Sequence, residues 1–152
     1  MKLSTRCRYA VRSLLDVALN SKNGSLVLLK DVARRQNISI KYLESIFSTL
    51  RRAGIIKGIR GAKGGYRLVK EPKEITIYDI VFAMQGFIAP VGCVDDACSC
   101  NRTDDCVTHE IWQKLTDSIS TTLRSFSLAD LVAKHDQAHC KGAFLGAACE
   151  AS

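Results

Sequence analysis

Four of the seven cysteines lie close together in the second half of the chain, and a histidine follows them. The cluster consists of Cys93, Cys98, Cys100, Cys106 and His109. The gaps of four, one, five and two residues between them do not match the paired knuckles of structural zinc sites. Several thiolates in a loop, together with an imidazole, can instead hold an iron–sulfur cluster. Oxidation or persulfidation of Cys98 or Cys100, with no metal, is the alternative chemistry of such a loop.

Whether the clustered cysteines form disulfides or bind a metal depends on the cellular compartment of the protein. The stretch Met1–Arg6 lacks the apolar core of a signal peptide, and no run approaches the roughly 18 apolar residues of a spanning helix. We therefore expect a cytoplasmic protein with reduced thiols. The cysteines lie in a polar loop with no paired base beyond His109, so the sequence does not predict an enzyme.

A long helix is expected directly after the cysteines, from Cys106 or Val107 to about Arg124. Cys106 and His109 would then share one face of its first turn. Apolar residues recur along this helix at steps of three or four: Ile111, Trp112, Leu115, Ile119 and Leu123. This stripe is too long to be covered within so small a domain, which predicts packing against a second copy of the chain.

Charge divides the chain into two unlike halves. Residues 1–70 carry a net charge of +13 and residues 71–152 a net charge of −6, which together give the total of +7. Such segregation is typical of a nucleic-acid-binding half joined to a half with another task.

The basic half has the pattern of a winged helix-turn-helix. An amphipathic helix is predicted from Ser4 to about Asn20, and two short helices follow on either side of a break at Asn37 and Ile38. The predicted short helices are Lys30–Gln36 and Ser39–Ala53, and the predicted strands are Ile55–Arg60 and Tyr66–Val69. The fold class expected is thus mostly α with a small two-stranded β-wing and a long dimerisation helix.

The helix that begins at Ser39 is the candidate reader of the DNA major groove. Lys41 could donate to guanine or phosphate, Glu44 could accept from cytosine, and Ser39 could contact either base or backbone. For Tyr42, half-buried packing and DNA contact are equally open.

The remaining basic residues of this half are assigned mainly to phosphates. These residues are Arg51, Arg52, Lys57 and Lys63. Arg60 precedes the glycine-rich hairpin turn, where a planar cation is well placed to enter a narrow A·T minor groove.

The expected organisation has three parts. Residues 1–72 form the DNA-binding domain, residues 73–135 carry the cysteine loop and dimerisation helices, and residues 136–152 form a disordered tail. Within the second part we expect a helix from Thr76 to Met84, a loop from Gln85 to Asp105 and a short last helix capped by Ser127.

Several stretches together resemble the Rrf2 family of bacterial winged-helix regulators. They are Lys2–Thr5, Arg8–Arg12, Ile38–Glu44 and Arg60–Tyr66, followed by the cysteine loop. The resemblance covers about residues 1–135 and implies a homodimeric repressor or activator with cluster-dependent DNA affinity. By this resemblance the ligands are Cys93, Cys100, Cys106 and His109, and a [2Fe–2S] cluster is favoured over [4Fe–4S].

Two features of the chain qualify this resemblance. The family loop has three cysteines and this loop has four, so Cys98 could replace Cys100 or His109 as a ligand or act as a resolving thiol. One type within this family, the NsrR type, uses an acidic residue near the N-terminus as a cluster ligand. At that place this chain reads Arg6-Cys7-Arg8. The resemblance is therefore to the IscR type, and it predicts a regulator that senses iron–sulfur status or redox or nitrosative stress.

Overall fold

The computed structural model describes residues 3–21, 24–61, 63–96, 100 and 105–146. Three helices form its N-terminal part: α1 (Thr5–Asn20), α2 (Leu29–Gln36) and α3 (Ile40–Arg52). Helix α1 begins where Ser4 Oγ accepts a hydrogen bond from the backbone N–H of Cys7 at 3.1 Å. Its residues Ala10, Leu14 and Val17 recur at helical spacing and are fully buried against α2, α3 and the wing.

The break between α2 and α3 depends on two residues. Asn37 ends α2 in the left-handed conformation, with a φ of 54°, and Ser39 Oγ then accepts from the backbone N–H of Tyr42 at 3.3 Å to cap α3. Leu43, Ile46, Phe47 and Leu50 of α3 are buried, which confirms the predicted helix-turn-helix core.

The wing consists of β1 (Ile56–Ile59) and β2 (Gly65–Leu68), which pair antiparallel in the register Ile56 to Leu68. Its tight turn requires Gly64, because a Cβ there would overlap the carbonyl oxygen of Ile59. The predicted fold class, mostly helical with a two-stranded wing, is confirmed.

The second half contains α4 (Ile77–Gln85), α5 (Gly92–Asp95), α6 (His109–Arg124) and α7 (Leu128–Gly146). Thr76 and Asp79 cap each other's backbone at the start of α4, and Ser127 and Asp130 do so for α7. Helix α6 packs on α4, where the Arg124 guanidinium lies 3.6 Å from the centre of the Tyr78 ring.

Three expectations about this half need correction. The predicted loop from Gln85 to Asp105 contains the one-turn helix α5, and α6 begins at His109, so Cys106 precedes the helix rather than lying in its first turn. Helix α7 continues to Gly146, into the segment expected to be disordered. Residues 147–152 of that segment lie outside the described residues. Among the residues that are described, no helix is long and apolar enough to cross a membrane.

Candidate DNA-binding surface and cysteine segment

The DNA-binding candidates are all solvent-exposed. Four lie at or just after the cap of α3, two in its last turn and two at the wing: Ser39, Lys41, Tyr42, Glu44, Arg51, Arg52, Arg60 and Lys63. The ring of Tyr42 packs edge-on against Tyr9 with centroids 6.0 Å apart and is still 38% exposed, so its packing is shown and its DNA contact stays a prediction.

Arg6 is a residue of this surface that the sequence pattern did not reveal. Its Nη2 donates to the carbonyl and hydroxyl oxygens of Ser45, both at 3.1 Å, and to Thr49 Oγ1 at 2.9 Å. These bonds tie the first turn of α1 to the middle of α3. Because the partners are about forty positions apart in sequence, no local spacing could have indicated them.

A buried ion pair fixes α1 against α2 behind this surface. Asp16, 4% exposed, accepts two short hydrogen bonds from Arg35, of 2.9 Å from Nε and 2.6 Å from Nη2. Gln36 Nε2 adds a third at 3.0 Å. The hydrogen bond to Asp16 raises the pKa of Arg35 above its usual value, although desolvation opposes the shift.

The cysteine segment is held against the start of α6. His109 Nε2 lies 3.2 Å from the carbonyl oxygen of Cys93, and the backbone N–H of His109 donates to the carbonyl oxygen of Cys106 at 3.0 Å. Cys93, Cys100 and Cys106 are all partly exposed. Cys98, the alternative ligand, lies outside the described residues.

The described part of the chain does not gather three or more His, Cys, Asp or Glu side chains into a group that could hold a metal ion. The chemistry of the donors nevertheless fits a cluster, because three thiols and an imidazole are soft and borderline ligands for iron. The bond between His109 Nε2 and a backbone carbonyl is also the usual outer contact of a ligating histidine, whose other nitrogen then serves the metal.

Cys7 is 1% exposed, and its thiol donates to Gln85 Oε1 at 3.1 Å. It packs with Val81 and Ile88, against which Ile119 and Leu123 of α6 also lie. Cys7 is thus a residue of the hydrophobic core.

The family of regulators described as "Rrf2: Iron-dependent Transcriptional regulator" matches residues 3–134. The regulator IscR of Photorhabdus laumondii is 42% identical over 132 residues, which are 87% of this chain and 79% of that protein. The chain belongs to the Rrf2 family.

Solved structures of Rrf2 regulators have the same fold. IscR of T. potens matches with a TM-score of 0.72 at 34% identity, covering 91% of this chain and 90% of that one. CymR, the global cysteine regulator of B. subtilis, matches with a TM-score of 0.72 at 35% identity, covering 88% and 98%. The protein is thus a DNA-binding transcriptional regulator of the Rrf2/IscR type, and it is not an enzyme.

Proposed function

We propose that the protein is a homodimeric regulator whose operator affinity is controlled by an iron–sulfur cluster bound by Cys93, Cys100, Cys106 and His109. The observation that carries the proposal is the 3.2 Å contact between His109 Nε2 and the Cys93 carbonyl, which places two of the donors together at the start of α6. Similarity to IscR proteins supports the choice of cluster. We place the protein in the cytoplasm, where a bacterial regulator meets its DNA.

A cluster bound at this place would supply a redox-active centre that oxidants and nitric oxide can damage. Of the four residues, Cys93 would hold it from α5, Cys100 from the segment between α5 and α6, and Cys106 and His109 from the turn into α6. Occupancy would fix the position of α5 against the first turn of α6. We favour a [2Fe–2S] cluster, and Cys98 is the alternative to Cys100 among the ligands.

A chain of contacts leads from α6 to the DNA-reading helix. Ile119 and Leu123 of α6 pack on the cluster that Cys7 of α1 forms with Val81 and Ile88, and the adjacent Arg6 donates to Ser45 and Thr49 of α3. A change in the angle of α6 would therefore reach α3 through one turn of α1. Regulation requires that the cluster-bound and cluster-free forms differ in DNA affinity.

Dimerisation is proposed to use the other face of α6. Ile111 and Leu115 are 58% and 42% exposed, although they continue the apolar stripe whose lower end packs inside the chain. Leu115→Asp is expected to shift the protein from dimer to monomer in analytical ultracentrifugation. Thr121→Asp, at an exposed polar position on a different face of the same helix, is the control and should leave the dimer intact. A dimer that survives Leu115→Asp would place the interface elsewhere.

The direct test is the visible absorption spectrum of anaerobically purified protein, with iron and acid-labile sulfide counted per chain. We expect sulfide-to-iron and thiolate-to-iron charge-transfer bands that are lost in Cys106→Ala, and counts that distinguish two irons from four. A protein that stays colourless after reconstitution would contradict the cluster. The metal-free thiol switch at Cys98 or Cys100 would then replace it.

A further inference from the structure

A pocket of about 480 Å³ lies at the root of the wing, and its lining includes Lys57, which the sequence assigns to a DNA phosphate. The loop between α1 and α2 forms one wall, and β1, β2 and the chain after β2 form the other. Among the described residues, three cations line it, Lys57, Arg67 and Lys70, together with one acid, Glu71.

The wall of this pocket is a fixed part of the fold. Val27 and Tyr66 exchange two backbone hydrogen bonds, of 2.9 and 2.8 Å, which attach the loop to β2. Lys57 and Arg67 are directly paired across the strands and therefore project from the same face of the wing. The Arg67 guanidinium lies beside Gly24, where a Cβ would be 3.9 Å from its Nη1.

Among the described lining residues, the cations outnumber the acid by three to one. Within the described chain, neither a hydrogen bond nor an ion pair engages the side chains of Lys57, Arg67 or Lys70, and Arg67 Nε is buried without a partner. Glu71 offsets only part of this positive charge, and its carboxylate also accepts the backbone N–H of Glu74. Arg35 shows the contrast, since Asp16 satisfies both its Nε and its Nη2.

A buried guanidinium N–H without an acceptor costs free energy, and an anion that enters the pocket removes this cost. The planar fork of arginine suits two oxygens of one phosphate, and two lysines nearby favour a doubly charged group. We propose that the pocket is a phosphate-binding site with Arg67 as its central donor and Lys57 and Lys70 as flanking charges. The phosphate can come from a free phosphorylated small molecule or from the DNA backbone.

The first experiment measures thermal unfolding of the full chain with and without inorganic pyrophosphate, at constant ionic strength set with chloride. Wild type should be stabilised in a saturable way, because a ligand that binds only the folded state raises its stability. Arg67→Gln should lose the response, and Lys70→Gln, at an exposed position, should weaken binding by roughly tenfold. Arg34→Gln, which removes an exposed cation on α2, is the control and should respond like wild type.

A second measurement separates the two sources of phosphate. The slope of log K against log salt is negative, and it becomes less steep by about 0.9 for every DNA phosphate that the protein ceases to neutralise. An unchanged slope in Arg67→Gln, with the pyrophosphate response abolished, assigns the pocket to a free ligand. A slope that is less steep by about 0.9 assigns the pocket to the DNA backbone. If wild type and Arg67→Gln have equal pyrophosphate responses and equal slopes, the proposal is wrong.

Discussion

Two regions of the molecule differ in how much buried core they have: the DNA-reading part, formed by α1 to α3 and the wing, and the cysteine segment, residues 86–109. Behind α3 lie a continuous buried core and the ion pair between Asp16 and Arg35. In residues 86–109, by contrast, Ile88 is the one buried side chain among those described. Because metal binding and local folding are coupled, we expect a segment with so little core to change its conformation when the proposed cluster binds. The conformation of the DNA-reading part is therefore fixed by its own core, whereas we expect the conformation of the cysteine segment to depend on the bound cluster.

The strongest test of this contrast removes the buried charge behind the reading helix. Asp16→Asn should lower the free energy of unfolding by about 3 kcal/mol, since it leaves a partly buried Arg35 without its carboxylate. The measurement is urea unfolding followed by circular dichroism. Asp31→Asn is the matched control: its partner Arg34 is 3.7 Å away and largely exposed, so the loss should stay below about 1 kcal/mol. Similar losses for both variants would show that the buried pair is not special.

This ion pair also shows where sequence reasoning stops. The helices were predictable because their signals are local: Ser4, Ser39, Thr76 and Ser127 each cap the backbone within three residues. Asp16 and Arg35 are nineteen positions apart, and the bonds of Arg6 to α3 span about forty. Such partners depend on how helices pack, which no local spacing encodes.

For the cysteine segment, the cluster-binding chemistry stays a prediction, and part of the conformation was missed. The thiols and His109 were identifiable from their types and spacing, and the resemblance to a family gave their roles. The one-turn helix α5 and the late start of α6 at His109 were missed, because the segment has neither caps nor apolar periodicity strong enough to indicate them.

The second prediction addresses the cysteine segment by loading it. Reconstitution with iron and sulfide should stabilise wild type by up to about 2.7 kcal/mol when the free ligand reaches a hundred times its dissociation constant. Cys106→Ala should gain nothing and should unfold like the apo wild type, because Cys106 precedes α6 and is partly exposed. Cys98→Ala is the matched control and should still be stabilised. Loss of the effect in Cys98→Ala alone would move the ligand assignment from Cys100 to Cys98.

The third prediction compares two arginines within the reading part. Arg52→Ala should weaken binding to all DNA sequences alike. It should also make the slope of log K against log salt less steep by about 0.9, as expected for one phosphate contact. Arg60→Ala, before the wing turn, should weaken binding most at sites with A·T-rich flanks. Fluorescence anisotropy with two operators that differ only in their flanks, at several salt concentrations, measures both effects. Equal losses that ignore sequence would remove the minor-groove role of Arg60.

The smallest expected effect concerns α7, which follows the cysteine segment and packs back on α1. Hydrogen bonds from the hydroxyl and backbone N–H of Ser127 lower the pKa of Asp130 below its usual value of 3.8. A carboxyl whose pKa is lowered by folding contributes stability above its unfolded pKa and loses it as the pH falls through its folded pKa. Asp130→Asn should therefore unfold more easily than wild type at pH 7, and the difference should shrink as the pH falls below 3.8 and through the lowered folded pKa of Asp130.

The measurement is the difference between the urea midpoints of wild type and Asp130→Asn at pH 7 and at low pH. Asp117→Asn, a change of the same kind at an exposed position in the middle of α6, serves as the control, because that carboxylate accepts a 3.3 Å bond from Gln113 on its own helix and caps no helix end. If the difference for Asp130→Asn does not change with pH, the ionised cap adds nothing to the start of α7. In that case the buried Leu128, rather than the cap, fixes where α7 begins on the core shared with the reading helices.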